Sequence, residues 1–263
     1  MNGNNPVPPP VPPDPSRGYI PPQVPGPQPL GDNPAERQPI TGITAAIESM
    51  LRQPRRVMFQ MRQPSAGGVI ATMLLISLAC SLIYGVIVGS FSGHEQWWAA
   101  PVKISAGLFI STIICLPSLY IFACLSGSQA RLVEIVGMVS GLLVLMTILL
   151  IGFAPVAWLF SQSTNSLCWM GFLHLSFWGI STIFGMRFLS AAFAHSNARS
   201  NAGLGTWIVI FMLVALQMST ALRPIVGRDE TPLPTEKKFF VKHWIDCMNQ
   251  PDAKAAKPAG VID

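Results

Sequence analysis

Between Gln63 and Leu222, a stretch of 160 residues, the chain carries only six charges: Glu95, Lys103, Arg131, Glu134, Arg187 and Arg199. The other 23 charged residues lie in its two ends. A soluble domain needs roughly a quarter of its residues charged to wet its surface. This block therefore cannot face water on all sides, but it can face lipid. The net charge of +5 does not point to nucleic acid. The basic residues form no patch on a soluble fold and instead flank apolar segments, where they act as topology signals.

The block divides into five apolar runs at about 66–91, 100–125, 132–160, 167–193 and 204–226. Each is long enough for roughly 30 Å of hydrocarbon. The links between them are short and polar, such as Ser-Gly-His-Glu and Ser-Gly-Ser-Gln. Trp97, Trp98, Trp158 and Trp169 lie at run ends, where indoles anchor at headgroup level. The runs show no period-two alternation, so a β-barrel is rejected. The expected fold is all-α: a polytopic bundle of about five spans.

The two ends read differently. Residues 1–40 hold 14 of the 24 prolines and almost nothing apolar. Such a tail favours polyproline II and has no core to offset its ordering entropy. Pro12-Pro-Asp-Pro15-Ser-Arg17 matches a P-x-x-P-x-R pattern that aromatic-grooved modules bind. In a tail this rich in proline a plain spacer is the favoured reading. Over 40–53, Ile40, Ile43, Ile47, Met50 and Leu51 recur at helical spacing, and Pro54 is expected to stop the helix. Too short to span, it reads as an amphipathic helix in the interface, with Arg52, Arg55, Arg56 and Arg62 among anionic headgroups. At the other end, Phe240, Trp244 and Met248 repeat every four residues after Thr235 and suggest a second interfacial helix. The domain boundaries are thus 1–40 tail, 41–64 interfacial helix and basic linker, 65–227 spans, and 228–263 C-terminal tail.

Orientation follows from Lys and Arg. With the N-terminus inside, the inner side receives Arg52, Arg55, Arg56, Arg62, Arg131, Arg187 and Arg199, and the outer loops only Lys103. The basic C-terminal tail is discordant, since an odd number of spans puts it outside. The first 40 residues hold no apolar signal region, so the first span is expected to target the chain.

No chemistry-bearing constellation emerges. There is no His-Glu-x-x-His, Gly-x-Ser-x-Gly or Walker loop, and no acidic cluster within the spans. The five cysteines include no Cys-x-x-Cys pair; Cys80, Cys115 and Cys124 read as small apolar residues, and a Cys168–Cys247 disulfide needs both outside. His174 alone among the histidines falls inside a span, where an ionisable group is a functional candidate. The favoured alternative is a neutral imidazole bonded to a Ser or a carbonyl on a neighbouring helix. Gln217 can bond across helices, and Arg223 can snorkel to the interface. Gly85-x-x-x-Gly89 and Gly137-x-x-x-Gly141 each present two glycines on one face, for internal packing or for self-association. Pro117 and Pro155 are expected to kink their spans. No metal and no cofactor is expected.

Several strings together resemble bacterial five-span proteins grouped with the Ypt-interacting-protein (Yip) family. They are Leu116-Pro-Ser-Leu-Tyr120, Ala154-Pro155, Leu173-His174, Phe184-Gly-Met-Arg-Phe188 and Gln217-Met…Leu222-Arg-Pro224…Gly227. The likeness covers roughly residues 64–245. It implies a five-helix bundle with a cytosolic N-terminus, in a bacterial cytoplasmic membrane. Eukaryotic members interact with small GTPases, but no motif here carries that partner over, and no functional residue transfers.

The sequence therefore leads to a non-enzymatic integral membrane adaptor, scaffold or accessory subunit of a membrane complex. Its expected partners are the bilayer, other membrane proteins or further copies of itself, and a cytosolic partner of the proline-rich tail. Nucleic acid is not among them. The competing reading is a small-molecule transporter or channel, with His174 and the kinked spans lining a path.

Overall fold

The computed structural model describes residues 29–92, 96–163, 167–196 and 202–221. Every regular element among them is an α-helix: α1 Pro34–Arg37, α2 Ile43–Arg52, α3 Pro54–Gln60, α4 Ala66–Ser92, α5 Gln96–Leu125, α6 Leu132–Ser163, α7 Leu167–Ala194 and α8 Ala202–Ala221. Four of these, α4 to α7, are long and apolar enough to cross a membrane, with mean hydropathies of 1.3 to 2.6 over their most apolar windows. The chain is a helical membrane protein. The shorter α8 is apolar over Gly203–Met218.

The long helices form a row in the order α7–α6–α4–α5–α8. Hydroxyls and glycines fix its register. Ser81 on α4 bonds Ser105 on α5 at 2.8 Å, and Gly85 lies directly against Pro101, so α4 and α5 run antiparallel. Gly141 on α6 lies against the Phe188 ring of α7, and Thr182 of α7 reaches the Met146 sulfur at 3.6 Å. On the far side, the Trp207 indole of α8 donates to the Cys115 carbonyl of α5 at 2.8 Å. The Ser118 hydroxyl donates to that same carbonyl, just beside Pro117. α5 runs unbroken through Pro101 and Pro117, and α6 through Pro155.

Position in the row sets burial. Of the α6 span 67% is buried, against 28% of the α5 span. The interior of α6 is sealed by Leu142, Leu143, Met146 and Ile135, while Ile113, Ile114 and Ile121 of α5 remain exposed on a face suited to lipid. Several buried hydroxyls turn back on their own helices: Ser77, Ser111, Thr112 and Thr147 each donate to the carbonyl four residues earlier. No buried water is needed to satisfy them.

Both Gly-x-x-x-Gly pairs serve contacts inside the chain. Gly85 accommodates the Pro101 backbone, and Gly89 is buried one turn on. Gly137 and Gly141 make room for Met61 and Phe188.

The three short helices gather at one end, the base. Where an interfacial helix was expected, α2 packs into the bundle: Ala46 and Met50 are buried in the main core, while Ile43 and Leu51 stay half exposed. Pro54 ends α2 and also opens α3, a helix where a basic linker was expected. Proline suits the first helical turn because the amide it lacks would be unpaired there anyway. Val57, Met58 and Met61 follow into the core. Arg62 donates to the His195 carbonyl, and Ser128 bonds the Ser196 hydroxyl at 3.0 Å, tying the base loops together. At the opposite end Trp98, Trp158 and Trp169 are exposed. The expected second interfacial helix, Arg223, Cys247 and residues 1–28 lie outside the described residues.

Candidate functional site

Two polar constellations stand out. The first is in the spans. Tyr84 of α4 and His174 of α7 meet edge to face, with the hydroxyl 2.7 Å from Nδ1. Tyr84 is almost fully buried, and the surroundings are apolar: Val88, Leu150, Ala154, Ala157 and the stacked pair Phe153–Phe177. The His174 Nε2 is buried and has no hydrogen-bond partner among the described residues. If the phenol donates, only the Nε2–H is orphaned. If the imidazole donates, both Nε2 and the phenol hydrogen are orphaned. The first arrangement leaves fewer unpaired groups and is assigned on that count.

His174 thus sits where an interhelical bond was expected, but its partner is a tyrosine and not a serine or a carbonyl. Nothing in the sequence couples residues 90 apart. Gln217 is half-buried on α8. Among the described residues no group of three or more His, Cys, Asp or Glu could hold a metal ion.

The second constellation is at the base. Asn33 caps α1 through its side-chain oxygen, 3.0 Å from the Ala35 amide, and Pro34 fills the first helical position. Glu36 lies three residues after the cap and its side chain is 9% exposed. Its Oε2 accepts from the Gly31 amide at 2.6 Å and its Oε1 from Arg55 Nε at 2.6 Å. Arg37 returns to the Gly31 carbonyl at 2.7 Å, and Arg55 also donates to the Pro29 carbonyl. Arg56 holds the Gln38 and Pro39 carbonyls at 3.0 and 2.9 Å. Gly31 is at φ 95°, and a Cβ there would stand 2.6 Å from the Phe59 ring. The Arg55 hydrogen bond holds the Glu36 carboxyl below the usual range. Partial burial opposes it, and the Gly31 amide and the nearby positive charge assist.

The arginines expected among headgroups therefore act first within the chain. Arg55, Arg56 and Arg62 all donate to carbonyls or to Glu36. Arg52 makes only an exposed pair with Glu48. Residues 29–40, assigned from composition to a solvated tail, are docked on α3. A signal for this was present: Asn33-Pro-Ala-Glu36 has the cap and acidic third position of a helix start, in a segment where only its prolines were weighed.

No family model, curated protein or solved structure matches this chain.

Proposed function

We propose that this protein is a non-enzymatic adaptor or accessory subunit of a membrane complex, in a bacterial cytoplasmic membrane. In this reading it is a five-span relative of the Yip family, with α8 as the fifth span. The base lies in the cytosol and α2 also touches the interface through Ile43 and Leu51. The observation that carries the reading is the docking of residues 29–40 through Glu36, Arg55 and Gly31. A mere spacer has no use for a fixed root. A rooted proline-rich arm leaves the bundle at a set point, as presentation to a partner requires.

The test is mild-detergent purification with mass spectrometry of what co-purifies. Full-length chain is expected to retain a stoichiometric partner. Deletion of residues 1–28 should lose it, and Arg55→Ala should weaken it. A chain that purifies alone in all three forms removes the adaptor reading. A second reading, transport, draws on the orphaned His174 Nε2, a polar group held ready inside the spans. It requires a pH-dependent flux in liposomes that His174→Gln abolishes.

A further inference from the structure

The two ends of the helix row curl towards each other. α7 packs on α6 and α8 on α5, and α7 and α8 together line a cleft of about 470 Å³. That is the size of a small-molecule site. Its wall is Thr182, Ile183, Met186, Arg187 and Ser190 from α7, with Ile208 and Met212 from α8. The only ionic group in this wall is Arg187.

Depth makes Arg187 unusual. It lies seven residues before the base end of α7, about 10 Å into the helix. Ser190 is nearer the mouth, at about 6 Å, and Thr182 deeper, at about 18 Å. Arg187 is exposed, and no carboxylate or carbonyl bonds its guanidinium among the described residues. Thr182 already donates to the Trp178 carbonyl. A charge left unpaired at that depth is costly, and counter-ions there come from lipid headgroups or from protein. Below it the wall is aliphatic and thioether apart from Thr182, whose hydroxyl is already bonded. A cation at the headgroup-facing mouth of an apolar slot matches one chemistry: a phosphate carrying an acyl chain.

The geometry points to an anionic phospholipid in the α7–α8 cleft, its phosphate on Arg187 and Ser190 and one acyl chain along Ile183, Met186, Ile208 and Met212. The guanidinium fork supplies paired donors for phosphate oxygens. The site is independent of the adaptor reading, since it needs only the bilayer.

Native mass spectrometry of the full chain, titrated with phosphatidylglycerol or with phosphatidylcholine of the same chains, tests it. Wild type should hold phosphatidylglycerol in preference, and Arg187→Gln should weaken it about tenfold. Arg187→Lys should keep most binding. Arg131→Gln, which removes an exposed cation just before α6, should change nothing. Met212→Trp fills the slot but keeps the charge, and should also weaken binding. Thermal unfolding with each lipid gives a second readout and identifies any variant that fails to fold. Equal binding of the two lipids, or undiminished binding in Arg187→Gln, overturns the proposal. So does displacement by millimolar inorganic phosphate, which would mean the acyl chain contributes nothing. A co-purifying polypeptide that excludes lipid from the cleft overturns it as well.

Discussion

A single hydroxyl decides how much His174 is worth. Tyr84 supplies the bond to Nδ1, across two helices that are not neighbours in the row. Interhelical bonds of this kind contribute about 0.6–2 kcal/mol. His174→Gln keeps a donor and an acceptor, so thermal stability in detergent should change by less than about 1 kcal/mol. His174→Leu removes the orphaned Nε2, a gain, but leaves the buried Tyr84 hydroxyl without its acceptor, a loss, and the two partly offset. Tyr84→Phe is the harsher change, because it leaves both imidazole nitrogens without a partner; about 1–3 kcal/mol should be lost. A ranking with His174→Leu worst would mean that Nε2 has a partner of its own. A pH-dependent flux lost in His174→Gln at full stability would instead favour transport.

Helix by helix, the base differs from the bundle in what holds it. α1 has four residues and could not persist alone; the Glu36 bonds fasten it to α3. Because the folded carboxyl titrates below its usual value, its contribution is complete above the ordinary carboxylate range. It is lost as pH falls through the lowered value. With Arg55 partly exposed, screening limits the effect to about 0.5–1 kcal/mol. Glu36→Gln at neutral pH should therefore speed tryptic cleavage after Arg37 by about two- to fivefold. The spans should be left intact, and unchanged cleavage would show that the knot is idle. The α6–α7 seam depends on a missing side chain instead. Gly141→Leu drives methyl groups into the Phe188 ring and should lower stability by about 1–3 kcal/mol, read as an earlier thermal transition. The same substitution at Gly152, which has open space where a Cβ would go, is the control.

Across the whole molecule, the charge and indole distributions oppose each other. Arg62, Arg131 and the docked arginines sit at the base, while Trp98, Trp158 and Trp169 ring the other end. An asymmetry of this sort orients a bundle with its basic end in the cytosol. Reporter fusions at Ser16 and Ala259 should consequently read opposite sides, as five spans require. The same side for both would leave four. Removal of residues 1–28 should leave insertion unchanged, because a segment so rich in proline and poor in apolar residues has no core to contribute to.

The starts of α4, α6 and α7 were legible in the sequence to the residue, and the other long helices to within a few. Spans are set by local apolarity, which needs no knowledge of neighbours. The ends of α2 were nearly as legible, since Pro54 interrupts the amide ladder whatever surrounds it. Which glycines meet which rings, and that Tyr84 answers His174, had no local signal. Those pairings join residues far apart in the chain, and they exist only once the helices have chosen their order. The row α7–α6–α4–α5–α8 is such a choice: it places the last two helices on opposite flanks, facing across a cleft. Composition assigned Glu36 and Arg55 to water and headgroups, because a single charge in a polar segment looks solvated. Only tertiary structure brings the two within 2.6 Å and makes solvent the poorer partner.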